Sequence, residues 1–219
     1  MIRIAMADDH PMIRRGFRAV IGEQPDMEIV AEAANGDELF DQIPPSRPNV
    51  VLLDVAMPGP GFLANLRELK ENWPQIKILV VSVHAEEQYA VRSLRAGAAG
   101  YLCKTRSGDE LVAAIRRVHG GRRYLTSAMT ERLTAQVAGA SPTDPHEALS
   151  EREFEVLVMI ASGKSLKEIG ADLDVSPKTV STYRARILAK LGVDTTAALI
   201  RYALEGGLVD DRPVGPERA

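Results

Sequence analysis

The chain has 219 residues, 45% hydrophobic and 26% charged, with 27 Lys+Arg against 30 Asp+Glu and a formal net charge of −3. That length suits one large domain or two small ones, and the apolar content excludes wholesale disorder. A single cysteine, Cys103, excludes a disulfide framework and a cysteine-rich zinc module. No apolar run approaches the roughly 18 residues that would span a membrane. Taken alone, the acidic balance argues against a nucleic-acid binder. Met1-Ile2-Arg3-Ile4 runs directly into a strand pattern, so no secretory signal is expected and the cytoplasm is the expected compartment.

In chain order, Ile2–Ala7 reads as a strand ending in acids. Pro11–Gly22 has helical spacing, Met27–Ala33 is a second strand and Gly36–Gln42 a short helix. Val50-Val51-Leu52-Leu53 is a continuous apolar run, the mark of a strand buried on both faces. A helix over Leu63–Trp73, a strand over Ile76–Ser82, a helix over Glu86–Ala96, a strand over Ala99–Cys103 and a helix over Gly108–His119 follow. Strict alternation of five strands and five helices predicts a doubly wound α/β domain, a parallel sheet covered on both faces, over 1–120.

Residues 121–146 read as a linker, partly helical over Thr126–Val137 and rich in Pro, Gly and Ser over Ala138–Pro145. From Leu149 the strand signals stop. Four helices are predicted, at about 151–162, 165–172, 177–191 and 195–205. They form a small all-α domain over 147–210, with a flexible tail at 211–219. Ser150 and Glu153 spell a capping box, and Ser176-Pro177 an N-cap followed by Pro at the first helical position.

In a doubly wound sheet, chemistry gathers beyond the carboxyl ends of the strands. There stand Asp8 and Asp9 after the first strand, Asp54 after the third, Ser82 after the fourth and Lys104 after the fifth. With strand order 2-1-3-4-5 these five residues share one pocket. Three close carboxylates repel, and an oxygen-seeking cation such as Mg²⁺ relieves that repulsion. Acids at strand ends are commonly solvated, but a nucleophilic carboxylate, a metal site, a cation and a hydroxyl together suit a transferable phosphoryl group. The third helix of the second domain carries Lys178, Arg184, Arg186 and Lys190 and no acid. Val180, Ile187 and Leu191 fall on its core side, and Lys178, Ser181, Thr182 and Ala185 on another. With the preceding helix Leu166–Leu173 and the turn Asp174–Pro177 it forms a helix-turn-helix, whose second helix suits a major groove.

Asp8-Asp9-His10, Leu52-Leu53-Asp54-Val55-x-Met57-Pro58-Gly59, Ser82 and Ala96-Gly97-Ala98-Ala99-Gly100-Tyr101-Leu102-x-Lys104 resemble the receiver domain of two-component response regulators. The resemblance implies that Asp54 accepts a phosphoryl group from a sensor histidine kinase. It implies that Asp8, Asp9, Asp54 and the backbone carbonyl of Ala56 bind Mg²⁺, and that Ser82 and Lys104 contact the phosphoryl oxygens. Tyr101 matches the aromatic switch position; a half-buried strand aromatic is the plainer reading. Two positions depart from the family. Thr105 replaces the usual Pro after the lysine, which predicts a trans bond there and a differently placed lysine. Phe62 stands where relatives often have Gly, and is expected to stiffen or block the loop beside Asp54.

Leu149-Ser150-x-Arg152-Glu153-x-Glu155-Val156-Leu157, Ile160-Ala161-x-Gly163, Glu168-Ile169, Leu173, Ser176-Pro177-Lys178-Thr179-Val180 and Ile187-Leu188-x-Lys190-Leu191-Gly192 resemble the LuxR-type DNA-binding domain. That resemblance implies phosphate contacts from Lys178, Thr179, Tyr183 and Arg186. It implies base reading by Ser181, Thr182 and Ala185, with Arg184 a further candidate. Gly170 replaces a usual Ala, a change worth about 1 kcal/mol of helix propensity. The whole chain resembles the NarL/FixJ family. This implies a transcription regulator, not a turnover enzyme, that binds promoter DNA as a homodimer and has no membrane partner. Two other readings remain at this point. One is a DNA-binding regulator independent of phosphorylation. The other is an aspartyl phosphatase of the haloacid dehalogenase type, disfavoured because Asp8-Asp9 are adjacent, not Asp-x-Asp. The four histidines show no metal-ligand spacing, His146 is assigned to the linker, and Cys103 reads as inert packing.

Overall fold

A computed structural model describes residues 1–57, 61–83, 86–137 and 145–209. Pro58-Gly59-Pro60, His84, the linker stretch 138–144 and the expected tail 211–219 lie outside the described residues. The chain divides into two compact units, Met1–Thr134 and Ala135–Ala219.

The first unit alternates β1 (Ile2–Ala7), α1 (Pro11–Gly22), β2 (Met27–Ala33), α2 (Gly36–Ser46), β3 (Val50–Asp54), α3 (Phe62–Asn72), β4 (Lys77–Ser82), α4 (Glu86–Arg95), β5 (Gly100–Cys103) and α5 (Gly108–His119). All strand pairs are parallel and the order is β2-β1-β3-β4-β5. Every residue of β3 is buried, as its unbroken apolar run requires. One core cluster joins Ile4, Met6, Leu52, Leu79, Val81 and Leu102 of the sheet to Leu111, Ile115 and Val118 of α5.

Two boundaries differ by more than one residue from the sequence reading. Helix α2 continues past Gln42 to Ser46, through Pro44 and Pro45. Its last carbonyls are held by Arg3, whose Nη2 donates to Ser46 O at 2.7 Å, and Arg47 closes the helix in the left-handed region at φ 46°. The first unit also runs beyond residue 120. Tyr124 forms a parallel bridge with Gly100, its N–H donating to Ala99 O at 3.0 Å. A Cβ on Gly100 would lie 2.8 Å from Tyr124 Cβ, so this approach needs glycine. Helix α6 (Ser127–Val137) follows, with Met129 buried.

The second unit opens with a 3₁₀ turn (Pro145–Ala148), followed by α7 (Glu151–Ala161), α8 (Leu166–Asp172), α9 (Pro177–Leu191) and α10 (Thr196–Glu205). Capping boxes start α7 (Ser150 with Glu153) and α8 (Ser165 with Glu168), and Ser176 caps α9 ahead of Pro177. Phe154, Leu157, Ile169, Val180, Ile187 and Leu199 form the core. His146, assigned from sequence to the linker, is 4% exposed and belongs to this unit. Its Nδ1 lies 3.0 Å from the Tyr202 hydroxyl, which also accepts its backbone N–H at 3.2 Å, and its ring packs near Phe154.

Candidate functional site

The parallel order brings the ends of β1, β3, β4 and β5 side by side. Asp8 leaves β1 with its N–H on Ala33 O, and Lys104 leaves β5 with its N–H on Ser82 O at 2.7 Å. Between them Asp54 closes β3. The Lys104 ammonium lies 2.7 Å from Asp8 Oδ2 and 2.7 Å from Asp54 Oδ2, with all three side chains almost wholly buried. The Lys104–Thr105 bond is trans, as no described peptide bond is cis. Thr105 therefore does not keep the lysine from the acids. Asp9 is partly exposed, and His10 turns its Nδ1 to Asp9 Oδ1 at 2.6 Å. Arg14 of α1 donates to the Asp8 carbonyl.

Burial pushes the Asp54 carboxyl above the usual carboxylate range, and the neighbouring Asp8 charge adds to the rise. Lys104 and the backbone amide of Ala56 oppose the shift without cancelling it. Buried oxygens of Asp8, Asp9 and Asp54 lack a well-formed hydrogen bond among the described residues. Ligand atoms from Asp8, Asp9, His10 and Asp54 lie within 4.8 Å of one another. Clustered carboxylates with spare acceptor capacity fit a hard divalent cation.

Ser82 is fully buried at the neighbouring strand end, opposite Cys103 in register. Tyr101 is fully buried within β5, not half-buried. Phe62, the first residue of α3, is 6% exposed, with its ring edge-on to Tyr89 of α4 at 5.5 Å between centroids. Cys103 is partly exposed and its Sγ lies 3.1 Å from Thr105 Oγ1.

In the second unit, α9 buries Val180, Ile187 and Leu191 and turns a polar face outward. Ser176, Lys178, Thr179, Thr182, Tyr183 and Arg186 line one open concavity. Thr182 Oγ1 donates to Lys178 O, and the hydroxyls of Ser176 and Thr179 meet at 2.9 Å. Arg186 and Ala185 are exposed, and Ser181 is half-buried. Arg184 turns elsewhere: its Nη1 lies 3.5 Å from Thr196 Oγ1 at the start of α10. Gly170 has a packing role that the sequence did not reveal. A Cβ there would stand 2.8 Å from the Val175 carbonyl, in the turn that leads into α9.

A five-stranded parallel receiver fold with an acid–lysine pocket, followed by a helix-turn-helix unit, defines the class: a DNA-binding response regulator of a two-component system. Comparison with known proteins agrees. Residues 4–116 match the response regulator receiver domain, and residues 147–203 match the luxR family of bacterial regulatory proteins. The chain is 38% identical over 210 residues to the response regulator GacA of Pseudomonas protegens, covering 96% of this chain and 99% of that one. It is 37% identical over 216 residues to the oxygen regulatory protein NreC of Staphylococcus aureus, covering 95% and 100%. Among solved structures, the response regulator ChrA of a heme-sensing two-component system is 33% identical, with a TM-score of 0.52 and coverage of 95% and 98%. RcsB from Salmonella enterica serovar Typhimurium, bound to promoter P1flhDC with the phosphomimetic BeF₃⁻, is 25% identical, with a TM-score of 0.77 and coverage of 93% and 98%. The chain belongs to the NarL/FixJ family of response regulators.

Proposed function

We propose that Asp54 is the phosphoacceptor of this regulator and that its phosphorylation controls promoter binding. The observation that carries the reading is the buried Asp54 carboxylate, 2.7 Å from Lys104 and flanked by Asp8. A sensor histidine kinase supplies the phosphoryl group. The P–N bond of its phosphohistidine breaks as a P–O bond to an Asp54 oxygen forms, and the imidazole leaves. Asp8, Asp9, Asp54 and the Ala56 carbonyl hold Mg²⁺, which supplies charge neutralisation at the transferring phosphoryl oxygens. Lys104 keeps a fixed cation beside the acceptor, and Ser82 offers a hydroxyl to a phosphoryl oxygen. The chain is thus a phosphoacceptor and not a turnover catalyst.

Phosphorylation then shifts an existing equilibrium in the receiver, with Ser82 and Tyr101 as the moving parts. Two DNA-binding units pair and read two half-sites. Lys178, Thr179, Tyr183 and Arg186 contact phosphates, and Ser181, Thr182 and Ala185 face base edges. The receiver is assigned to 1–120 with the Tyr124 bridge on its edge, the DNA-binding domain to 147–210 with His146 packed into it, and the linker to the stretch between. A regulator that meets both promoter DNA and a kinase works in the cytoplasm.

The test is incubation with Mg²⁺ and a small acyl phosphate, followed by intact-mass measurement and DNA binding. The expected result is one labile adduct, lost in Asp54→Asn, with tighter promoter binding by the adduct. Equal labelling of Asp54→Asn overturns the site. DNA affinity indifferent to phosphodonor and to Asp54→Asn supports regulation independent of phosphorylation.

A further inference from the structure

His10 is the residue of the acidic pocket that the phosphoacceptor reading leaves without a task. It sits at the N-cap position of α1, followed by Pro11, yet its side chain makes no capping hydrogen bond. Instead the ring turns back to the acids. Its Nδ1 lies 2.6 Å from Asp9 Oδ1 and 3.5 Å from Asp8 Oδ1, while its backbone N–H donates to Asp8 Oδ1 at 2.8 Å. The Asp8 carbonyl on the same segment accepts from Arg14, so the segment that carries the ring is tied to α1. About half of the ring remains accessible from solvent.

One donor atom from each of Asp8, Asp9, His10 and Asp54 lies within 4.8 Å of all the others. An ion bound at about 2.0–2.2 Å from each donor spans little less than that, so the set needs only a small contraction. Lys104 takes Oδ2 of Asp8 and Asp54, and Asp54 Oδ1, on a side chain 1% exposed, lacks a well-formed hydrogen bond. The pocket therefore offers a buried oxygen open to a ligand, with an imidazole on its rim. Oxygen-only donor sets suit Mg²⁺; adding one imidazole nitrogen moves preference toward first-row transition ions.

We propose that His10 supplies a nitrogen ligand to the divalent cation of this pocket and biases it toward Mn²⁺-type ions over Mg²⁺. The inference rests on the metal site of the phosphoacceptor reading. Its consequence is that the metal loaded before phosphorylation depends on transition-ion supply as well as on Mg²⁺.

The test uses the full chain stripped of metal, with MnCl₂ and MgCl₂ added separately and binding followed by calorimetry. Wild type is compared with His10→Asn and His10→Ala, and thermal melts verify folding. The expected result is a drop in Mn²⁺ affinity of about tenfold or more in both variants, with Mg²⁺ affinity changed far less. Pulsed electron paramagnetic resonance of the Mn²⁺ complex should show ¹⁴N coupling in wild type and none in His10→Ala. Equal losses for the two ions, or no nitrogen coupling in wild type, would overturn the ligand role while leaving the Mg²⁺ site standing. Failure of wild type to bind either ion overturns both. If both variants melt early, the nitrogen coupling of wild type alone decides.

Discussion

Lys104 joins Asp8 to Asp54: one ammonium, 2.7 Å from each carboxylate, holds together two acids whose like charges would otherwise repel. Removing it leaves two buried negative charges facing each other. Lys104→Ala should destabilise the metal-free receiver by about 3–5 kcal/mol, the usual cost of breaking a buried pair from one side. Added Mg²⁺ should restore part of that loss. Thermal melts with and without Mg²⁺ check it, and an unchanged midpoint refutes the pairing.

Asp54 should be a liability at neutral pH. Its folded pKa is raised, first by burial and then by Asp8, so its contribution to stability is present below the unfolded carboxylate range and lost as pH rises through the folded value. Asp54→Asn should therefore melt higher than wild type near pH 7. The gap should close as pH falls toward the ordinary carboxylate range. A gap that widens in acid contradicts the assignment.

Glu153 behaves in the opposite sense. Burial works against its charge, but the Lys190 ammonium at 2.6 Å and the Ser150 cap outweigh it and hold the carboxyl below the usual range. A lowered folded pKa means stability present above the unfolded value and lost as pH falls through the folded one. Glu153→Gln should cost the DNA-binding unit about 1 kcal/mol at pH 7. It should also flatten the acid limb of the unit's stability curve, measured by urea unfolding at several pH values.

Helix propensity alone predicts that Gly170→Ala gains about 1 kcal/mol. The added methyl meets the Val175 carbonyl at 2.8 Å, in the turn that sets α8 against α9. A backbone atom in that turn has little room to yield, so the variant should melt lower than wild type and bind DNA more weakly. A higher midpoint with intact binding would show that the turn relaxes freely.

Lys178 and Arg184 should separate by salt dependence. Lys178 is exposed on the concave face of α9, and Lys178→Ala should lower the slope of log affinity against log salt by about one. Arg184 leans on Thr196, so Arg184→Ala should leave that slope unchanged. A slope lowered as much by Arg184→Ala as by Lys178→Ala would place both side chains on phosphate, and an unchanged slope in both would remove Lys178 from the interface.

The strands and most helices were legible because their signals are local: β3 spells its burial in consecutive apolar residues, and Ser150, Ser176 and Pro177 mark helix starts. The pocket was legible because parallel topology decides which strand ends are neighbours. What escaped depended on distant partners. His146 reads as a linker residue until Tyr202, far along the chain, receives it. Gly170 reads as a weak helix former until Val175 folds over it. Ser165 and Glu168 carried a local signal, a second capping box, that the sequence reading did not use. The ring direction of His10 had none: an N-cap position leaves the side chain free to face either the helix or the acids.

The bridge between Gly100 and Tyr124 has a consequence for how the receiver can be cut from the chain. β5 is the last strand of the sheet, and an outer strand with bare amides and carbonyls invites pairing with another molecule. Tyr124 takes one of those positions, donating to Ala99 O, and Met129 is buried just beyond it. A fragment ending at residue 120 uncovers that margin and should self-associate in solution, whereas one ending at 134 carries its own seal.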